Sequence, residues 1–317
     1  MVKSPTPVLV IGSLNMDMVA ITERLPQKGE TIMGSQFMTF PGGKGANQAV
    51  AAARLGAKVW MAGCVGKDGF GNELLSSLRK SGVNTEYVDH KDGSTGVALI
   101  TVDSSGMNTI IVVSGANAKC DRGHVDAALE AIGEPGILLL QNELTADTVE
   151  YAIRAAHARK WKIILNPAPA RQIPRAILSL VDIVIPNESE AGLITGLTIA
   201  NSDDAVAAAR RLVGEGVGWA IVTLGSKGAV CCSNKETHRL EAIKVDAVDT
   251  TAAGDAYTGA LAFALAEGWP MLNSLHFAGA AAALSVTRLG AQPSLGSREE
   301  VEHFISHTCA STSGRLQ

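Results

Sequence analysis

Apolar runs rich in Val and Ile recur along the chain at 7–12, 58–65, 136–141, 162–166, 182–186 and 219–224. Each has the length of a strand and the composition of one covered by helices. Between them, apolar residues return with helical period over 46–55, 71–81, 121–132, 146–160 and 203–214. Strands alternating with helices in this way predict an α/β fold, with a mostly parallel central sheet flanked by helices. Two regions, 16–40 and 95–113, break the alternation. They carry a period of two (STGVALITVD, then NTIIVV) and contain no helix long enough for a crossover. They predict antiparallel hairpins outside the main sheet. Ligands of open α/β sheets lie beyond the carboxyl ends of the strands, and hairpins emerging there would form a small antiparallel β lid. The chain reads as a single domain over 1–317 with the lid hairpins inserted and no repeat at a fixed period.

Composition narrows the function classes. The 317 residues are 46% hydrophobic and 18% charged, with 33 glycines, which excludes a disordered or coiled-coil chain. A net charge of -4 provides no positive field to collect nucleic acid or an anionic membrane. The charge-free stretch 270–287 is interrupted by Asn273, Ser274, His276 and Ser285, so it reads as a buried core helix rather than a membrane span. The first residues lack the long apolar region of a signal peptide, and a cytoplasmic location is expected. The five cysteines, Cys64, Cys120, Cys231, Cys232 and Cys309, are scattered and odd in number, as expected of reduced thiols. The polar tail 311–317 is expected to fray.

Candidate chemistry gathers at four places. In DTTAAGD, small residues lead into an apolar helix that carries Asp255 in its first turn. Backbone amides there suit a substrate phosphate. Read locally, Asp255 fits a helix cap as well as a catalytic role. The second cluster, FPGGKGANQAVAAARLG, opens another helix with Gly43, Lys44 and Asn47 near its start. It matches neither a dinucleotide fingerprint nor a Walker loop, and packing explains it as well as binding does. GSLNMD places Asn15 and Asp17, and QNE places Glu143, at strand ends where amides and carboxylates can hold sugar hydroxyls or simply shape turns. Finally, IPNESEA supplies Asn187 and Glu190, suited to a hydrated metal and phosphate, and VTLGSKGA forms a turn from Thr223 to Gly228 suited to nucleotide contact. His303 and His307 have i, i+4 spacing but lack the glutamate of a zinc-protease helix.

GGKGAN and DTTAAGD together are far more specific than either alone. With GSLNMD, STGVALI, LNPAPAR, IPNESEA, VTLGSKGA and SVTRLGAQPS, they make nearly the whole chain similar to the phosphofructokinase-B-type sugar kinases, and within them to those that phosphorylate ribose. The resemblance implies that Asn15, Asp17, Gly43, Lys44, Asn47 and Glu143 hold the sugar, together with Asp255, the catalytic base. It assigns ATP to Asn187, to Thr223, Leu224, Gly225, Ser226, Lys227 and Gly228, to Ala253 and Gly254, and to Gly279. It implies a potassium ion at Asp249, Thr251, Ser285, Arg288, Gly290 and Ser294, several of them through backbone carbonyls, and magnesium held indirectly by Glu190. It also implies a homodimer joined through the lid. Many relatives have glycine where this chain has Ala252. A kinase of deoxyribose or of a nucleoside, and a sugar-binding regulator without catalysis, are the rival readings; a nicotinamide oxidoreductase is disfavoured by the missing fingerprint.

Overall fold

The computed structural model describes residues 6–313, and side chains as far as 308. The strands are β1 (Val8–Ile11), β2 (Asn15–Thr22), β3 (Gly34–Gly42), β4 (Val59–Gly66), β5 (Asn84–Lys91), β6 (Gly96–Val102), β7 (Asn108–Val113), β8 (Ile137–Gln141), β9 (Lys162–Asn166), β10 (Ile183–Val184), β11 (Trp219–Thr223), β12 (Ala229–Ser233) and β13 (Thr237–Leu240). The helices are α1 (Lys44–Arg54), α2 (Gly69–Lys80), α3 (Arg122–Ile132), α4 (Ala146–Ala158), α5 (Arg175–Leu178), α6 (Glu188–Thr195), α7 (Ser202–Gly214), α8 (Ala253–Ala266), α9 (Met271–Ser285) and α10 (Arg298–Ser313).

A nine-stranded sheet runs in the order β13-β12-β11-β10-β9-β8-β1-β4-β5. From β5 to β11 every pairing is parallel, and the hairpin strands β12 and β13 close one edge antiparallel. Alternate strand residues feed two cores. Val8, Val10 and Leu139 pack with α1, α8 and α9 on one face. Leu9, Ile11, Leu138 and Leu140 pack with α3, α4 and α7 on the other. Burial on both faces explains why these strands are continuously apolar. The chain goes from β1 to β4 on one side and reaches β8 on the other. The carboxyl end of β1 is therefore the point where strand order reverses, the usual place for a ligand crevice.

The lid is a four-stranded sheet, β3-β2-β6-β7, built from the two expected hairpins. Each hairpin is antiparallel within itself, and their inner strands β2 and β6 pair parallel. The stretch 270–287 forms α9 inside the core, as its composition predicts. Three strands and two short helices escape the sequence pattern: β5, β12, β13, α5 and α6. The residues just ahead of DTTAAGD form no strand. Residues 311–313, expected to fray, continue α10, while 314–317 and the side chain of Cys309 lie outside the described residues. The other four cysteines are free and buried. Among the described residues no helix is long and apolar enough to cross a membrane.

Helix α8 is apolar all round because it lies between the sheet, α1 and α9. Its crossing with α1 has no room at Gly259, where an added Cβ would stand 2.5 Å from Ala51 Cβ and 2.7 Å from Gln48 O. Gly259→Ala should therefore destabilise the chain by about 1–3 kcal/mol in urea denaturation, although alanine is the better helix former by about 1 kcal/mol. A more stable variant would refute this account of the crossing.

Candidate active site

Both glycine-rich segments open helices at the carboxyl end of the sheet, but the two helix starts are treated differently. At α1 the free N–H groups are consumed by the protein. Lys44 N donates to Glu143 Oε2 at 3.0 Å, Gly45 N to Ser13 Oγ at 3.3 Å and Ala46 N to Ser13 O at 2.9 Å. This closeness demands glycine at 43, where φ is 90° and a Cβ would meet Asn15 N at 2.6 Å. At α8 no side chain caps the helix, and Gly254 N and Asp255 N have no acceptor among the described residues. The turn is set by Ala252, in the left-handed region at φ 62°, which costs alanine about 1 kcal/mol relative to glycine. Of these two helix starts, then, only α8 presents open amides and the positive end of its dipole to an anion.

Asp255 is buried, with 4% of its surface exposed. Its two oxygens accept from Asn47 Nδ2 and Gln48 Nε2, each at 3.0 Å. Gln48 is itself oriented by Gln141 Nε2 at 2.7 Å and donates to Asn166 Oδ1 at 3.1 Å, and Asn166 donates to Ile185 O at 2.8 Å. A buried amide chain thus ties α1, β8 and β9 to the carboxylate and fixes its direction. Glu143 is a second junction. Its Oε2 takes Ser13 Oγ, Asn15 Nδ2 at 3.4 Å and Lys44 N, leaving Oε1 without a protein donor among the described residues. Asn117 holds Asn15 Oδ1 at 2.8 Å and Leu14 N at 2.9 Å.

The Asp17 carboxylate has no hydrogen bond among the described residues, although Asp17 is only 8% exposed and lies against Gly42, where a Cβ would stand 2.2 Å from Oδ2. Burial, reinforced by Glu143 and Asp255 and opposed by Lys44, pushes its carboxyl up to about 7. Asn47 Oδ1 is likewise buried and unpartnered. Burial works against the charge on Lys44, but Asp255, Glu143, Glu190 and Asp17 together outweigh it and hold the ammonium above its ordinary value. One cation is thus shared by four carboxylates from β2, α6, α8 and the end of β8.

On the far side, Asn187 and Glu190 form a capping box, with Asn187 N on Glu190 Oε2 at 2.9 Å and Asn187 Nδ2 on Oε1 at 3.0 Å. Burial raises the Glu190 carboxyl. Asn187 bridges to Thr223, which begins the Thr223–Gly228 turn. Lys227 in that turn reaches Glu188 at 3.8 Å. Gly279 lies on α9, packed against α8. Asp249 ties two loops together, accepting Thr251 N at 2.9 Å and Gly290 N at 2.8 Å. Ser285 and Ser294 turn their hydroxyls onto backbone carbonyls three residues back, and the Arg288 guanidinium pairs with Glu300 at 2.6 Å. At these three positions only the main chain remains to face a cation. Ser13, Gln48, Asn117 and Asn166 were not singled out from the sequence, and Gln141 only as a strand-end amide beside Glu143, not as a support of Gln48. Gln48, next to Asn47 in GGKGANQ, had a local signal.

The description "pfkB family carbohydrate kinase" matches residues 5–298. This chain belongs to the pfkB family of carbohydrate kinases. Among pfkB relatives, a ribokinase from Schizosaccharomyces pombe is 43% identical, the match covering 93% of this chain and 96% of that protein. A deoxyribokinase from Salmonella typhi is 37% identical over 94% of this chain and 98% of its own length. The structure of Arabidopsis thaliana ribokinase complexed with ribose and ATP superposes with a TM-score of 0.86 at 33% identity, covering 95% of this chain and 99% of that one. The pfkB fold and the kinase class expected from the motifs are thereby established.

The unpartnered Asp17 carboxyl gives a pH signature. Its folded-state value, about 7, lies above the ordinary 3.8, so the native state keeps a proton that the unfolded chain has lost. Its contribution to stability is therefore present below pH 4 and is lost as pH rises from about 4 to about 7. Asp17→Asn should stabilise the ligand-free chain at pH 8 by at most about 4 kcal/mol, with the gain vanishing near pH 4. Denaturant titrations across that range that show a pH-independent difference would refute the assignment.

Proposed function

We propose that the chain transfers the γ-phosphoryl group of ATP to the 5-hydroxyl of D-ribose, giving D-ribose 5-phosphate. The observation that carries this reading is a fixed, buried carboxylate in the same turn as uncapped amides. Base and oxyanion donors stand side by side at Asp255 and Gly254. Phosphoryl transfer asks a protein mainly for positioning and charge neutralisation, and these groups supply both.

The sugar lies between Asp17, Asn15, Gly43, Lys44, Asn47 and Glu143. The free oxygens of Asp17, Asn47 and Glu143 would each accept a hydroxyl, completing groups that the folded chain leaves without donors. Asn47 and Gln48 hold Asp255 so that one of its oxygens receives the proton of the primary hydroxyl. Lys44 offsets the negative charge of the incoming phosphate. The nucleotide lies along Asn187, the Thr223–Gly228 turn, Ala253 and Gly254, with Gly279 on the adenine side. Deoxyribose is the competing acceptor we weigh against it, since one relative, from Salmonella typhi, is a deoxyribokinase. A site built to bond a hydroxyl rejects the analogue that lacks it.

Two ions complete the proposal. Glu190, a buried carboxylate whose oxygens are already engaged by Asn187, suits magnesium bound through its water shell, and the ion neutralises phosphate charge. Asp249 with the main chain of Thr251, Ser285, Arg288, Gly290 and Ser294 offers only oxygen donors, which suits potassium. The lid supports a homodimer. Every residue of β7 is exposed, Ile110 and Ile111 to 54% and 63%, a face that a second copy would cover. ATP use and buried free thiols suit the cytoplasm.

Asp255→Asn should lower kcat with ribose by about 10²–10⁴ while ribose binding persists, read by steady-state kinetics and calorimetry. Near-normal turnover would remove Asp255 as the base, and equal wild-type activity on deoxyribose would overturn the choice of sugar. Initial rates should rise when potassium is added, and Asp249→Ala should abolish that response. A response unchanged in the variant would displace the ion from this loop.

A further inference from the structure

A second cluster of metal-binding side chains stands apart from the phosphoryl-transfer site, on the opposite face of the sheet. Cys64 on β4, Cys120 ahead of α3 and His124 in the first turn of α3 bring their ligating atoms within 4.8 Å of one another. Cys64 Sγ is 3.4 Å from His124 Nε2, and Asp89 Oδ2 on β5 is 3.2 Å from the same nitrogen. We propose that Cys64, Cys120 and His124 form a structural site for a zinc-type divalent ion, with Asp89, which touches His124 Nε2 but stands outside the mutual 4.8 Å of the other three, turning in as the fourth ligand.

The geometry suits that ion. With bonds of roughly 2.0–2.3 Å, neighbouring ligand atoms of a tetrahedral zinc site stand about 3.3–3.8 Å apart, a range that includes the 3.4 Å between Cys64 Sγ and His124 Nε2. His124 is also prepared as a ligand. Its Nδ1 is 2.7 Å from Asp121 Oδ1 and 3.1 Å from Asp121 N, contacts that fix the orientation of the ring with Nε2 directed at Cys64. Lys91 Nζ lies 3.0 Å from Asp89 Oδ2, so two thiolates, a carboxylate, the ammonium and a dication leave no net charge in the cluster. Cys64 and Cys120 are both at most 1% exposed, as in a closed structural site rather than one open to substrate.

The location gives the site a consequence. Cys120 N donates to Asn117 O at 3.2 Å, Thr148 Oγ1 donates to Cys120 O at 2.7 Å, and Asn117 orients Asn15. An ion here would pin the turn that holds one sugar-side amide, and would staple β4, β5 and α3 together.

The test uses the full chain, stripped of metal by a chelator under a phosphine reductant, and titrated with Co²⁺ and then Zn²⁺. We expect one equivalent of Co²⁺ with thiolate-to-cobalt charge-transfer absorption and tetrahedral d–d bands, displaced by Zn²⁺, and a higher Tm with zinc. Cys120→Ser should lose about half of the charge-transfer intensity, one of two thiolates being removed. Asp121→Asn, an exposed substitution that leaves all four ligands in place, should weaken Zn²⁺ binding by about 10–100-fold. It keeps the proposal testable should Cys120→Ser fail to fold. A folded wild-type chain that shows only octahedral cobalt or none, that has its thiols joined as a Cys64–Cys120 disulfide under reductant, or whose zinc affinity is unchanged in Asp121→Asn would overturn the site.

Discussion

The arrangement depends on one carboxylate being held by two amides from another helix. Asp255 begins α8, and Asn47 and Gln48 begin α1. Their 3.0 Å bonds exist only because the two helices cross closely enough for Gly259 to touch Ala51. The same closeness recurs at the start of α1, where a Cβ on Gly45 would meet Ser13 N at 2.6 Å. Small residues therefore do more here than turn the chain. They bring two helix starts and the end of β1 to one point, where strand order reverses.

At that point electrostatics separates two features that look alike in sequence. GGKGAN and DTTAAGD are both glycine- and alanine-rich helix starts, yet the first has its amides filled by Ser13 and Glu143 while the second keeps them open. An anion has one place to go. The pocket between Asp17, Glu143, Glu190 and Asp255, by contrast, has a single ammonium, Lys44, raised by all four carboxylates. Such a cluster is costly without a ligand. A hydroxyl-rich substrate and a bound polyphosphate relieve it from opposite sides.

Much of this was legible from residue order. The apolar runs that became β1, β4, β8, β9 and β11 were visible because helices cover them on both faces, and the two period-two regions became the lid hairpins. The strands that escaped lie in or next to the edges. β5 reads NTEYVDHK and β13 reads THRL, polar enough to pass for loops because part of each faces solvent. Helix α6 had a usable signal in its Asn187–Glu190 capping box, hidden by its short length. In the site, Asp255, Asn47 and Lys44 converge as their motifs suggested. Their supporting roles did not show, because Asn117, Gln141 and Asn166 act across 93 to 118 residues of sequence, where no spacing rule connects them.

The central claim is that Asp255, and no other carboxylate of the cluster, meets the reacting hydroxyl. A crystal structure of the chain with ribose and a non-hydrolysable ATP analogue tests it most directly. The account predicts the ribose 5-oxygen within about 2.6–3.2 Å of an Asp255 oxygen, with the terminal phosphate against Gly254 N. A 5-oxygen bonded to Asp17 or Glu143 instead, with Asp255 still engaged only by Asn47 and Gln48, would contradict it.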